Sequence, residues 1–388
     1  MTFTNSGTLT HSSMTDLTDL LEEFYKDVRS NPDITLIDDN ELRSKIEFIC
    51  RCITNKAPIR FLMACLLGKL DDPKVDIRKP YTEISGKGTY SGRAYDEQHV
   101  EPFVIKHKLP TNSTTAFLTP AFRNIDRTLT TDLVLVGRPR LVYTNTLELL
   151  DLIQSSKLDP RTALKEIIRF LLIIKNENET RMKQLLRELK HSDDTLPLSS
   201  EQIVTLLQQH LSSKNSSRLP VLMVAAAYLA VKDRIGETAL PLQSHTAADK
   251  QTGSIGDVEV TLINDDQIIT CYEMKDKKVT IVDIENALKK IATLEYRVDN
   301  YVFITTDVIE DEVNQYAKSV YDKSYVEIAI LDCIGFVRHF LHFFHRHRTG
   351  FLDIYQSLVL AEPDSSVSQP LKEAFLVLRK AAESDKQC

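Results

Sequence analysis

Apolar residues at Leu17, Leu20, Leu21 and Phe24 recur at the spacing of one helix face, so TDLTDLLEEFYKDVRS predicts a helix. DDNELRSKIEFICRCITNKAPIRFLMACLLGKL predicts two more, broken at Pro58. From Asp71 to about Thr131 the period is lost. Pro, Gly, Ser and Thr alternate there with Arg, Lys and aromatics, and SGRAYDEQHVEPFVIKH alone reads as a short helix, with Ser91 or Gly92 near its N-cap. Tyr81, Tyr90, Tyr95, Phe103, Phe117 and Phe122 argue against disorder. DLVLVGRPRLVYT predicts two short strands around Gly137 and Pro139. Helices are expected over NTLELLDLIQSS, PRTALKEIIRFLLIIKNENETRMKQLLRELK and SSEQIVTLLQQHLSS, with Ser199 or Ser200 capping the last. RLPVLMVAAAYLAVKDRIGE predicts a buried, alanine-rich helix with Pro220 in its first turn.

Further along, the period of two takes over. GDVEVTLINDDQIITCYEMKDKK predicts a hairpin, followed by a helix over VDIENALKKIATLEYRV and a buried strand over YVFITTD. A helix around IEDEVNQYAKSVYDK, a strand over YVEIAILD, the helix CIGFVRHFLHFFHRHR and a polar tail with DSSVSQ complete the pattern. Alternating strands and helices indicate an α/β core of mixed α+β character beside a largely helical N-terminal region.

The hairpin carries the chemistry. Residues two apart share a strand face, so Glu273 and Lys275 stand side by side. Pairing Asp257 with Glu273 puts Glu259 opposite Cys271 and Ile255 opposite Lys275. It leaves Val258–Tyr272, Val260–Thr270 and Leu262–Ile268 as an apolar face, whereas a one-residue slip would mix the faces. This register gathers Asp257, Glu259, Glu273 and Lys275 and calls for an odd turn or a bulge near Asp265 and Asp266. Two carboxylates that close repel unless a cation separates them, and a hard ion such as Mg²⁺ suits oxygen donors. Such an ion acidifies its bound water and screens charge on a phosphoryl oxygen, while Lys275 would orient water or phosphate. The plainer alternative is an exposed ion pair. An acid two residues before a lysine also occurs at Asp72, Glu188 and Asp276.

Acid, acid and lysine at the ends of a hairpin, followed by a helix and two strands, resemble the PD-(D/E)xK nuclease superfamily. Gly256 stands where the superfamily's name has proline. The resemblance implies a restriction-endonuclease-like core, a central mixed sheet flanked by helices, in which Asp257 and Glu273 hold the metal and Lys275 is catalytic. It also implies an accessory acid from the preceding helix, for which Glu237 is preferred over Asp233. SGRAYDEQHVEPFVIKHKLPTNSTTAFLTPAFRN, LPLQSHTAADKQTGSIGDVEVTL and YEMKDKKVT together resemble type II restriction endonucleases of the SacI family. This likeness implies a Mg²⁺-dependent homodimer that cuts a short palindrome in double-stranded DNA, with a DNA methyltransferase in the same system. The expected organisation is a helical region over 1–70 and a recognition and dimerisation region over 71–215. A catalytic core over 216–350 and a C-terminal helix and tail over 351–388 follow.

Composition leaves this picture intact. The 388 residues are 42% hydrophobic and 27% charged, ordinary for a globular protein. A net charge of −7 does not advertise a nucleic-acid binder, but a local basic groove suffices. One is suggested by Arg78, Lys79, Lys87, Arg93, Lys106, Lys108, Arg123, Asn124 and Arg127, cations that position phosphates beside residues able to read base edges. Taken singly, each also suits a solvated loop. The six cysteines form no CxxC pair, which argues against a zinc site or a disulfide framework. No run approaches a membrane span, and the opening residues lack the features of a secretory signal, so a cytoplasmic location is expected.

His245 suits a polar loop better than a phosphate contact. In HFLHFFHRHR, Phe336, Phe340, Phe343 and Phe344 mark a core-facing stripe, leaving His339 and His342 to solvent or a partner. No phosphate-binding glycine motif is present, which argues against ATP-driven translocation. The rivals to a restriction enzyme are a structure-specific nuclease of repair or recombination and a non-catalytic DNA-binding protein of the same fold.

Overall fold

The computed structural model describes residues 13–80, 85–112, 122, 125–190, 197–242, 254–265 and 267–384. It divides into two compact units, Met1–Arg181 and Met182–Cys388.

The first unit is helical: α1 (Ser13–Ser30), α2 (Asn40–Arg51), α3 (Ala57–Asp71), α4 (Gly92–Tyr95), α5 (Glu101–Lys106), α6 (Arg140–Gln154) and most of α7 (Pro160–Lys190). Amphipathic spacing decides which face each buries, with Leu17, Leu21 and Phe24 of α1 at 7%, 0% and 0% exposure. Pro58 opens α3, and the Ser91 hydroxyl caps α4 by accepting the Ala94 N–H at 3.2 Å. A π turn over Asp96–Val100 joins α4 to α5. The two strands expected around Gly137 are absent. Helix α6 begins at Arg140, because Val142, Leu149, Leu150 and Ile153 recur at helical spacing and all enter the core. Val134 and Val136, which suggested a strand, are exposed in the preceding segment.

The second unit contains the sheet. Helices α8 (Ser200–Leu211) and α9 (Leu219–Ile235) precede β1 (Glu237–Ala239), β2 (Val258–Leu262) and β3 (Ile268–Lys275). Then come α10 (Ile281–Ile291), β4 (Asn300–Thr305), α11 (Asp311–Ser324) and β5 (Glu327–Asp332). Beyond β5 lie α12 (Cys333–Phe343), α13 (Arg348–Ala361) and α14 (Gln369–Ser384). The last two occupy most of 351–388, where a C-terminal helix and a polar tail were expected, and Phe351, Leu352, Tyr355, Leu371, Phe375 and Leu376 are all buried.

Strand order follows the sequence, β1 to β5, antiparallel through β3 and parallel from β3 to β5. Parallel strands need a crossover, and α10 and α11 supply it. The expected pairs Val258–Tyr272, Glu259–Cys271 and Val260–Thr270 are all present. The register then shifts, so that Thr261 rather than Leu262 faces Ile268 and Ile269 is the extra residue. The irregularity therefore sits inside the ladder, whereas it was expected at Asp265 and Asp266; Asp266 lies outside the described residues.

Both sheet faces are covered. Val258, Val260, Tyr272, Val302 and Ile304 pack with α8, α9 and α12–α14, and Ile268, Cys271, Tyr301 and Phe303 pack with α10 and α11. Helix α9, apolar all round, is buried over most of its length and ends at Gly236, whose φ of +75° turns the chain into β1. On α12, Phe340 is buried and Phe343 is 71% exposed, so Phe343 falls outside the expected core stripe.

His210 of α8 is fully buried, with Nδ1 3.0 Å from the Tyr355 hydroxyl and Nε2 3.0 Å from the Leu371 carbonyl. The carbonyl can only accept, so Nε2 carries the proton and Nδ1 accepts from Tyr355. Burial pushes the imidazole pKa down to about 4. The unfolded chain takes up its proton near 6.5, so this stabilisation is complete above about pH 6.5 and is lost as pH falls towards 4. About 3 kcal/mol is at stake across that window. Urea denaturation is expected to show the loss, and His210→Gln to flatten it.

Candidate active site

Strand β3 is buried on the α10 side as far as Cys271 and opens beyond it. Cys271 packs with Ile284 and Ala287, whereas the side chains of Glu273 and Lys275 retain 18% and 27% exposure. Their charged ends meet at 2.7 Å. Asp257 enters just ahead of β2: its N–H donates to the Tyr272 carbonyl at 2.7 Å, and its Oδ2 accepts the Met274 N–H at 2.7 Å. A Cβ at Gly256 would stand 2.7 Å from the Tyr272 carbonyl oxygen. A proline there would force the strands apart, so the glycine lets Asp257 reach this position. Glu259 has a different task. Its Oε1 accepts the Ile255 N–H at 2.6 Å and the Ser254 hydroxyl at 3.0 Å, tying down the chain before β2.

Helix α10 and strand β4 add groups that the sequence reading missed. Thr280 and Asp283 form a capping box in which Asp283 Oδ2 accepts from the Thr280 N–H at 2.9 Å and from its hydroxyl at 2.7 Å. Asp283 Oδ1 lies 3.1 Å from Lys275 Nζ. Two turns on, Lys290 Nζ stands 3.6 Å from Glu273 Oε2. Tyr301 of β4 directs its hydroxyl at the same Oε2 and at the Ile255 carbonyl, 3.2 Å away. The available signals were the Thr-x-x-Asp cap spacing and the seven-residue interval from Asp283 to Lys290, which returns to one helix face.

Burial opposes the charge on Lys275, but Glu273 and Asp283 outweigh it and hold the ammonium above the usual lysine range. Burial likewise works to raise Asp283, yet its bonds from Thr280 and Lys275 keep the carboxyl below the usual range. Burial and the Glu273 charge raise Tyr301, which stays a protonated donor. Among the described residues, no group of three or more His, Cys, Asp or Glu side chains could hold a metal ion. Asp257 and Glu273 nevertheless offer hard oxygens on one face. A Mg²⁺ ion, which commonly takes one or two carboxylates plus water and substrate oxygens, fits that donor set.

The other candidates lie elsewhere. Glu237 starts the edge strand β1 opposite Leu262. It lines a cavity of about 310 Å³ with Tyr228, Phe336, Phe340 and Phe344 on the sheet face away from Glu273, and burial raises its pKa. An accessory acid was expected from the preceding helix, but α9 ends before Glu237, so the structure does not bring this residue to the cluster. Asp233 is exposed on the last turn of α9.

In the first unit, Lys87 and Arg127 are exposed. Arg93 pairs with Glu97 at 2.6 Å and Lys106 with Glu22 at 3.0 Å. Arg78 is held by Asp76 and Asp151. Arg123, Asn124 and His245 lie outside the described residues. His342 contacts Glu201 at 2.9 Å, and His339 stacks on Phe343.

A mixed five-stranded sheet flanked by helices, with its chemistry at the end of a hairpin, is compatible with a restriction-endonuclease-like core. Residues 196–307, under a third of the chain, match the family model of the SacI restriction endonuclease C-terminal domain. The resemblance to SacI-like type II restriction endonucleases thus holds over the segment that carries Asp257, Glu273 and Lys275. No curated protein matches the chain. No helix among the described residues is long and apolar enough to cross a membrane.

Proposed function

We propose that this chain is a Mg²⁺-dependent type II restriction endonuclease that hydrolyses phosphodiester bonds in double-stranded DNA at a short specific site. The observation that carries the reading is the convergence of Asp257, Glu273 and Lys275 at one end of the β2–β3 hairpin, inside the segment similar to the SacI domain. When bound, a divalent cation supplies an acidified water and screens the charge on the phosphoryl oxygens. Asp257 and Glu273 hold that cation. Lys275 orients the attacking water or the scissile phosphate, and Tyr301 steadies Glu273 from β4. Lys87, Arg93, Lys106, Arg123, Asn124 and Arg127 remain the proposed DNA contacts; Arg93 and Lys106 would have to exchange a carboxylate partner for phosphate. A palindromic site suits a two-fold homodimer, and a methyltransferase of matching specificity would protect host DNA.

One observation favours a non-catalytic DNA-binding role: Glu273 is already paired with Lys275 and Lys290. Digestion of plasmid DNA with and without Mg²⁺ separates the readings. Discrete fragments that require Mg²⁺ are expected. No cutting by the folded protein on several DNAs would leave the binding role, and a smear without discrete bands would favour a structure-specific nuclease.

A further inference from the structure

Asp283 divides its two oxygens between two tasks. Oδ2 closes the capping box with Thr280, and Oδ1 lies 3.1 Å from Lys275 Nζ. Lys275 is also 2.7 Å from Glu273 Oε1, so its ammonium bridges carboxylates on two different elements, β3 and α10. Three N–H donors allow both contacts at once.

Sharing matters because Glu273 cannot serve two cations equally. If it gives its charge to a divalent ion, Lys275 loses attraction to Glu273 and is repelled by the ion. A lysine on a flexible four-carbon stem, with no other anchor, would then swing towards solvent. Its contact with Asp283 does not depend on Glu273. The capping box fixes Asp283 in turn, so this anchor is set by the fold of α10.

We propose that Asp283 is a positioning residue for Lys275: it keeps the ammonium at the site when Glu273 engages a metal ion and leaves Glu273 free to do so. This rests on the nuclease reading and adds to it a further residue with a defined task.

Asp283→Asn is the discriminating variant, because its amide oxygen can still accept both bonds from Thr280 while the charge facing Lys275 is gone. Thr280→Ala is the graded control: it removes the hydroxyl bond to Asp283 Oδ2 and keeps both the backbone N–H bond and the carboxylate charge. Mg²⁺ titrated calorimetrically into the full chain is expected to bind about 10-fold more weakly to Asp283→Asn, as Lys275 falls back on Glu273. Its single-turnover cleavage rate should fall about 10- to 100-fold, with metal-free DNA affinity unchanged and the melting temperature only slightly lowered, since the carboxylate charge also favours the fold. Thr280→Ala should lower the melting temperature and, because one of the two bonds that fix Asp283 remains, weaken Mg²⁺ binding and cleavage less than Asp283→Asn does. In a Lys275→Ala background, Asp283→Asn should produce no further change in Mg²⁺ affinity.

Wild-type Mg²⁺ affinity and rate in Asp283→Asn would overturn the proposal. So would an equal loss of affinity in the Lys275→Ala background, since Asp283 would then act by its own charge. A wild-type chain that neither binds Mg²⁺ nor cuts DNA would instead remove the nuclease reading, and this inference with it.

Discussion

Asp257→Asn, Glu273→Gln and Lys275→Ala are each expected to abolish cutting of plasmid DNA while leaving the chain folded. Asn at 257 can still accept the Met274 N–H that Asp257 now accepts at 2.7 Å, so the hairpin keeps its geometry and loses only charge. Gln at 273 retains an acceptor for the Tyr301 hydroxyl but removes the charge that balances Lys275 and Lys290. Ala at 275 removes the ammonium and leaves both acids. A loss of at least about a thousandfold in single-turnover rate, roughly 4 kcal/mol of barrier, is the expected size in each case. Binding to uncut DNA, read by gel shift without Mg²⁺, should change little in Asp257→Asn and Glu273→Gln, because the proposed DNA contacts lie on other residues. Cutting that survives all three substitutions would move the active site away from this hairpin. Loss of cutting together with loss of fold, seen in the melting temperature, would reduce the trio to an internal ion network.

The hairpin was legible in the sequence because its two faces differ so strongly. Val258, Val260 and Tyr272 could form one apolar face in only one register, and that register is present. The bulge was misplaced. Two acidic residues at 265 and 266 suggested the turn, while the backbone spends its extra residue at Ile269, within a ladder where composition gives no sign of it. Asp283 and Lys290 were missed for a different reason. Their relation to Glu273 and Lys275 depends on how α10 lies across the sheet, which no periodicity in either segment specifies. Glu237 shows the reverse failure: close in sequence to the expected helix end, it is carried to the other face of the sheet by a single left-handed turn at Gly236. The strands expected near Gly137 failed because a β-branched opening was weighed above the helical spacing that continues from Val142 to Ile153.

Arg60→Met is expected to destabilise the first unit by about 3–5 kcal/mol, since it would strand a buried carboxylate. Arg60 and Asp96 are both at 0% exposure. The guanidinium donates from Nε to Asp96 Oδ1 at 2.9 Å, from Nη2 to Oδ2 at 2.5 Å, and from Nη1 to the Asn112 carbonyl at 2.9 Å. The π turn that begins at Asp96 places this acid on the buried side of its segment, against α3. Burial raises the Asp96 pKa even with Arg60 present to oppose it. Without Arg60 the opposition is gone, and the carboxyl should take up a proton in the fold. A folded pKa above the unfolded value gives stability that is full below the unfolded pKa and lost as pH rises through the folded one. The deficit of Arg60→Met, measured by urea denaturation, should therefore be smaller at pH 5 than at pH 8. Removing both charges in Arg60→Met with Asp96→Leu should recover much of the loss, because an apolar pair of similar volume can replace a buried ion pair at little cost. A deficit that is independent of pH and not recovered in the double variant would mean that the bond to Asn112, and not the pairing with Asp96, is what Arg60 contributes.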